Sequence, residues 1–372
     1  MSGVYVATRV ALVLAAWATL AWFPLELSPR QWRAFPDELW LDGWARWDSA
    51  WYRSIFEEGY WYRRGEQSNV NFFPLYPWLS GLLSWPLRAS LGPERSFFAA
   101  AIAVSHVSSW LAMLGLHGLA RERLGRAAAD RAVWLLCLFP FSFYLGAAYT
   151  EGMLLALATW AFRFADRGRW GVACLLASLA AVTRIPGFIV GAALALEYVR
   201  RHGPSPASWG REALALLAMP VPLLLLLGSF ALRFGDPLVF VTTQQDSWER
   251  TGVDLAAHLA ELRGGELSWA GWSVTVWRVA LLPATLVGVA IVWRQLGASL
   301  AAYSLLILGL PVSSGLQGFE RYFLAAFPVF VALGGSLRGR AAWWATLALF
   351  APFLVYFTIQ FARWAPVVSV AR

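Results

Sequence analysis

Read for polarity alone, the chain alternates long apolar runs with short connections rich in arginine. The runs fall at residues 4–25, 96–120, 132–149, 151–165, 170–183, 186–199, 213–233, 276–293, 297–312, 322–336 and 341–361. Eleven such runs predict an all-α polytopic membrane protein, a bundle of about eleven transmembrane helices forming one domain over residues 1–372. Several runs are shorter than the ~20 residues a straight span requires, so some pairs are expected to be broken helices or partly buried segments. The first run, from Val4 to Leu25, matches a span in length and lacks a small-residue cleavage site, which points to a retained helix and not a cleaved signal.

The connections divide by charge. With the N-terminus cytoplasmic, residues 121–131, 166–169, 200–212, 293–297 and 337–340 lie on the cytoplasmic side, and each carries arginine. The other side receives two long loops, about 26–95 and 234–275; the second holds Asp236, Asp246, Glu249, Asp254, Glu261 and Glu266 against Arg250 and Arg263. That is the distribution the positive-inside rule describes, in a multi-pass protein of the cell membrane. Composition agrees: 59% of residues are hydrophobic and 14% charged, where a soluble domain has about 25% charged. There is no lysine, so all 30 basic residues are arginines and the net charge is +8. Nucleic-acid binding would gather such charge on one solvated face or arm; here it is dispersed between apolar runs. Cys137 and Cys174 both lie inside apolar runs, which gives no support to a disulfide framework.

Three outward connections are nearly absent: "YTE" (149–151), "TRIPG" (183–187) and "SSGLQGFERY" (313–322). Ionisable groups at membrane depth are costly and mark function, so Glu151, Arg184, Glu320 and Arg321 are expected to converge beneath the first long loop. Within that loop, residues 44–58 contain no proline and end at Gly59, which predicts a helix. On its wheel Arg46, Ser49, Arg53 and Glu57 form a polar stripe, and Asp48 falls among Trp44, Trp51, Tyr52 and Ile55 on the apolar face of an interfacial helix. A carboxylate there is tunable by burial and by cations, as a general base requires; the structural alternative is a pin to Arg46 or Arg53. The following segment, 71–87, with Pro74, Tyr76, Pro77, Trp78 and Trp85, reads as an interfacial or re-entrant piece.

An acid and arginines at headgroup height suit a sugar linked to polyprenyl phosphate. The leaving phosphate needs no general acid, only a base for the acceptor hydroxyl and cations for the developing charge. Asp48 is the candidate base, Arg321 the leading phosphate clamp through its guanidinium fork and Arg184 the second, with snorkelling to the interface as the structural alternative. Glu151 could orient an arginine, bind acceptor hydroxyls or share a divalent cation with Asp48. An obligatory metal is not favoured, since the arginines supply the neutralising charge and His106 and His117, eleven residues apart, lack a third ligand. Gln244, Gln245 and Asp246 are available to line the acceptor side, the plainer reading of their loop being a packed connector. The rival class, a transporter or flippase of a lipid-linked sugar, would lead one to expect internal repeats and charges near the midplane; no repeat is evident and the charges gather at one face.

"WDSAWYRSIFEEGY" followed by "NFFPLYP" resembles the first-loop signature of the PIG-V family of mannosyltransferases within the GT-C superfamily. "FPFSFYLGAAYTEGMLLAL", "AAVTRIPGF" and "GFERYFLAAFPVFVALG" agree in order, so the resemblance runs from about residue 44 to 335. It implies a GT-C-like bundle whose first extracytoplasmic loop carries the catalytic acid. It also implies a polyprenyl or dolichyl phosphomannose donor and inverting transfer to a hydroxyl; the acceptor is expected to be a glycan, glycolipid or glycoprotein, and no cofactor is expected. By motif, Trp47 and Asp48 match the family's tryptophan-aspartate element, Tyr149 and Glu151 its second segment, Arg184 its third and Arg321 its last; Tyr52 and Tyr76 accompany the first as substrate-binding candidates. The lysine-free composition points to a bacterial source and away from a GPI precursor as acceptor. A glycine follows Glu151 where relatives carry a small polar residue, which leaves the acceptor open.

Overall fold

The computed structural model describes residues 1–23, 25, 32–247, 269–314 and 316–365. The acids Glu249, Asp254, Glu261 and Glu266, with Arg250, Arg263 and His258, lie outside these residues. The described chain is helical, and each apolar run is occupied by a helix or a broken pair. The elements are α1 (Ser2–Trp22), α2 (Leu39–Asp42), α3 (Ser49–Glu58), α4 (Leu75–Ser84), α5 (Arg88–Leu124), α6 (Arg126–Leu138), α7 (Glu151–Asp166), α8 (Trp170–Ala181) and α9 (Phe188–His202). They continue with α10 (Ala213–Ala218), α11 (Val221–Phe234), α12 (Val239–Asp246), α13 (Trp269–Leu296), α14 (Ala298–Ser314), α15 (Phe319–Ala325), α16 (Phe327–Ser336) and α17 (Arg340–Ala362). Among the described residues five helical segments are long and apolar enough to cross a bilayer unaided: α1, α4 running into α5, α10–α11, most of α13, and α17.

The arginine-bearing connections meet at one end of the bundle. Arg123, ending α5, pairs with Asp166 at 2.6 Å and donates to the Leu296 carbonyl; Arg201 joins the same aspartate to Glu197, which accepts from Ser299 at 2.6 Å. The opposite end is made from breaks. Run 132–149 is helical only to Leu138, and residues 139–150, all buried, turn through a short 3₁₀ segment before α7 begins. Irregular backbone at membrane depth is tolerated only where protein covers it and satisfies its polar groups. Here Arg9, buried in α1, donates to the carbonyls of Cys137 and Ser142, and Ser105 and Ser109 of α5 donate to those of Tyr149 and Leu145. Arg9 carries a charge in an otherwise apolar run and binds a helix end instead of an acid.

Small residues let the helices approach. A Cβ on Gly152 would stand 2.2 Å from Ser109 Oγ and 2.9 Å from the Ser105 carbonyl, which is what brings the start of α7 against α5. The first loop packs down as α2, α3, a 3₁₀ turn at Asn69–Asn71, and α4. Pro74 caps α4 and Pro77 occupies its first turn, while Trp78 and Trp85 are exposed beside Leu82 and Leu83. Asn69 gathers the strap of residues 59–69 by donating to Ser54 and to the Gly59 carbonyl and accepting from Trp61 N–H.

Candidate functional site

The helix expected over residues 44–58 begins at Ser49 instead, and this corrects the wheel. Trp47 has φ 51°, a left-handed conformation that no helix continues through, and Asp48 becomes the N-cap of α3. The lost register changes the fate of Arg46. It is not on a wetted stripe but fully buried, bonded to Asp42 at 2.6 Å and to the Ala362 carbonyl at the end of α17. Burial alone would raise the Asp42 carboxyl; Arg46, the Phe35 N–H and Arg33 outweigh it and hold that carboxyl below its usual range. Neither Arg46 nor Arg53 pins Asp48: Arg53 pairs with Glu94.

Asp48 is held from two sides. Its N–H donates to Tyr149 Oη at 3.2 Å, and its Oδ2 accepts from Arg321 Nη1 at 2.6 Å. Arg321, on α15, also donates through Nε to Glu151 Oε1 at 2.5 Å, and its guanidinium lies over the rings of Tyr149 and Tyr144 at 4.7 and 5.2 Å. Arg184 donates to the same Glu151 oxygen and lies over the ring of Tyr322. Two acids and two arginines from the first loop, the start of α7, the α8–α9 turn and α15 therefore form one connected cluster. They adjoin a cavity of about 90 Å³ whose lining includes Asp48, Tyr52, Thr150, Arg184, Gln244 and Arg321.

Tyr52 lines this cavity, and burial pushes its phenol well above the ordinary value, so it stays a neutral hydrogen-bonding group. Glu151, Tyr149, Tyr76 and Trp47 stand behind the lining. Tyr76 donates to the Ala101 carbonyl of α5 and meets the Tyr52 ring edge-on at 5.0 Å; Trp47 packs on Trp364 at 5.2 Å. Glu320 does not join the cluster as its position beside Arg321 suggested. It is fully buried against Arg278 of α13, at 2.8 and 3.1 Å, because adjacent helical residues point about 100° apart. The histidines are engaged elsewhere: His106 bonds Tyr5 of α1, and His117 bonds Asp130 at 3.0 Å. Thr150, Asn71 and Gln317 also stand at the cavity, although nothing in the sequence pattern singles them out. They are neutral, and only the adjacency of Thr150 to Glu151 could have drawn attention to it.

The turn that presents Arg184 depends on one glycine. A Cβ on Gly187 would fall 1.7 Å from the Ala180 carbonyl oxygen, a backbone atom that cannot swing aside. Gly187→Ala is expected to spread α8 from α9 and to lower stability by about 1–3 kcal/mol; thermal unfolding in detergent reads this, and an unchanged midpoint would mean that the helices part freely.

A family model described as Mannosyltransferase (PIG-V) matches residues 20–230. The chain is 33% identical over 153 residues to GPI alpha-1,6-mannosyltransferase 2 of Cricetulus griseus, and equally to its Rattus norvegicus counterpart. Each alignment takes in 40% of this chain, and the chain spans only 30% of the length of those relatives. In fold it is similar to the Archaeoglobus fulgidus oligosaccharyltransferase crystallised with zinc and sulfate, with TM-score 0.51 and 16% identity over 96% of this chain and 53% of that one. It is also similar to ArnT from Cupriavidus metallidurans bound to undecaprenyl phosphate, with TM-score 0.53 and 14% identity over 93% and 62%. Those identities speak to architecture alone, and the shared architecture is that of a polytopic helical membrane protein. Since the family model takes in more than half of its residues, this multi-pass membrane chain belongs to the PIG-V mannosyltransferase family.

Proposed function

We propose that the protein transfers a hexose, mannose, from a polyprenyl-phosphate-linked donor to a hydroxyl of a glycan, glycolipid or glycoprotein, with inversion, on the extracytoplasmic face of the cell membrane. The observation that carries this reading is the bridge made by Arg321, which touches Asp48 and Glu151 at once beside a cavity. In the scheme, the donor phosphate enters against Arg321 and Arg184, and its lipid tail stays in the bilayer, as undecaprenyl phosphate bound to ArnT suggests. A phosphate competes for Arg321 Nη1 while Nε keeps its bond to Glu151, and the Asp48 carboxylate is released to act as a base. The acceptor O–H gives its proton to Asp48, its oxygen attacks the anomeric carbon, and the bond to the phosphate oxygen breaks with its electron pair leaving on the phosphate. Guanidinium groups aimed at that oxygen stabilise the charge as it forms. The two arginines supply the neutralisation, so the scheme calls for no metal ion.

A single displacement inverts the anomeric centre. Purified protein given β-linked polyprenyl phosphomannose and a panel of soluble and lipid-linked mannosides should therefore yield an α-linked product, read from the one-bond carbon–hydrogen coupling of the new anomeric centre. A β-linked product would overturn the mechanism, and lipid translocation across liposomes without any transfer would overturn the enzyme reading in favour of a transporter.

A further inference from the structure

One hydroxyl at the cavity performs no task within the protein. Thr150 sits at the N-cap of α7, where a threonine ordinarily accepts from a free N–H of the first turn. Its side chain makes no such bond, and its Oγ1 has no hydrogen-bond partner among the described residues, although the residue is 2% exposed and lines the cavity. The adjoining Glu151 is unbalanced in the same way. Both arginines sit on Oε1, and the buried Oε2 has no partner among the described residues. A buried polar atom left unmade costs more than the bond it would form is worth, and of these two Thr150 Oγ1 is the one on the cavity wall, where it points to a ligand that pairs with it.

A separate element brings a second group to that wall. Asp236 accepts from Leu238 N–H and the Thr242 hydroxyl, tying down the start of α12, and Phe240 packs edge-on against Phe73 at 5.6 Å. Gln244 lies one turn beyond Phe240 on the same face and lines the cavity, whereas Gln245 and Asp246 are exposed.

We propose that Thr150 Oγ1 and the Gln244 carboxamide, both at the cavity wall, form the subsite for the ring hydroxyls of the donor's hexose. This rests on the glycosyl-transfer reading above. The arginines that take the phosphate line the same cavity, so a sugar joined to that phosphate through one ester oxygen falls against these two residues. A threonine hydroxyl and a carboxamide each both donate and accept, which suits adjacent sugar hydroxyls and offers nothing to a bare lipid.

The test uses the full chain in nanodiscs with two probes, short-chain polyprenyl phosphomannose and sugar-free polyprenyl phosphate. Thr150→Val keeps the branched shape, forfeits no cap and removes the hydroxyl; Gln244→Ala changes a half-buried side chain on α12, so at least one variant stays folded. Each should weaken phosphomannose binding about tenfold, equivalent to ~1.4 kcal/mol, and leave polyprenyl phosphate binding within about twofold, the change expected for a bond the bare phosphate does not make. Thr150→Ser should restore most of the loss. Equal weakening of both probes, or of neither, would overturn the subsite. Wild-type protein that binds neither probe would instead remove the donor reading, and the subsite with it.

Discussion

Asp48→Asn is expected to lower turnover by roughly 10²–10⁴ while donor binding stays within a few-fold of the native value, the range a positioned general base contributes. The substitution keeps the shape of the side chain, and α3 loses no cap because the Asp48 side chain makes no capping hydrogen bond. The Asp48 bond to Tyr149 runs through the main chain and survives. What is lost is the proton acceptor, together with the anion that competes with phosphate for Arg321. Single-turnover transfer from radiolabelled polyprenyl phosphomannose, paired with equilibrium binding of the same lipid, separates the two effects. Turnover that survives within about fivefold, far short of a base's usual contribution, would remove Asp48 from the chemistry and leave it a structural anchor.

The largest loss of stability is expected from breaking the Arg278–Glu320 pair. Both side chains are almost wholly withdrawn from solvent and meet through two bonds, so Arg278→Leu strands a carboxylate inside the bundle. Removing one half of such a pair costs about 3–5 kcal/mol, whereas replacing both halves by apolar side chains is often neutral. Arg278→Leu/Glu320→Leu should therefore regain most of what Arg278→Leu loses in thermal unfolding. Because α15 is seven residues long and carries Arg321 next to Glu320, we expect the double variant to fold well yet turn over more slowly, its register no longer fixed by the pair. A double variant as unstable as the single one would show that the cost lies in packing and not in the stranded charge.

How much of this was open to reading from residues alone depended on how each charge was displayed. Glu151, Arg184 and Arg321 stand at the ends of apolar runs, where polarity is conspicuous, Asp48 stands out as an acid among tryptophans in the first long loop, and the structure places all four together. Glu320 shares that display, but sequence adjacency is a poor guide to facing, since neighbours on a helix diverge by more than a quarter turn. Arg278 and Arg9 interrupt apolar runs singly, and nothing in the sequence names a partner 42 or 133 positions away. The start of α3 was unreadable for another reason. Residues 44–48 contain neither glycine nor proline, and the left-handed turn at Trp47 accompanies a packing contact with Trp364 made across most of the chain's length. The breaks at 139–150 and around 326 were foreshadowed by run lengths too short for straight spans, although the first depends on Arg9, Ser105 and Ser109 satisfying the opened backbone and the second on Tyr303, which donates to the Ala325 carbonyl.

The tie through Arg46 joins parts of the molecule that are usually handled separately. Its guanidinium takes the last carbonyl of α17, lies against the Trp364 indole at 5.3 Å and is two residues upstream of Asp48. A truncation or tag that disturbs Ala362 or Trp364 would thus be transmitted to the rim of the cavity, however remote from the first loop it looks on a linear map. Expression variants should be trimmed or fused only beyond that tryptophan.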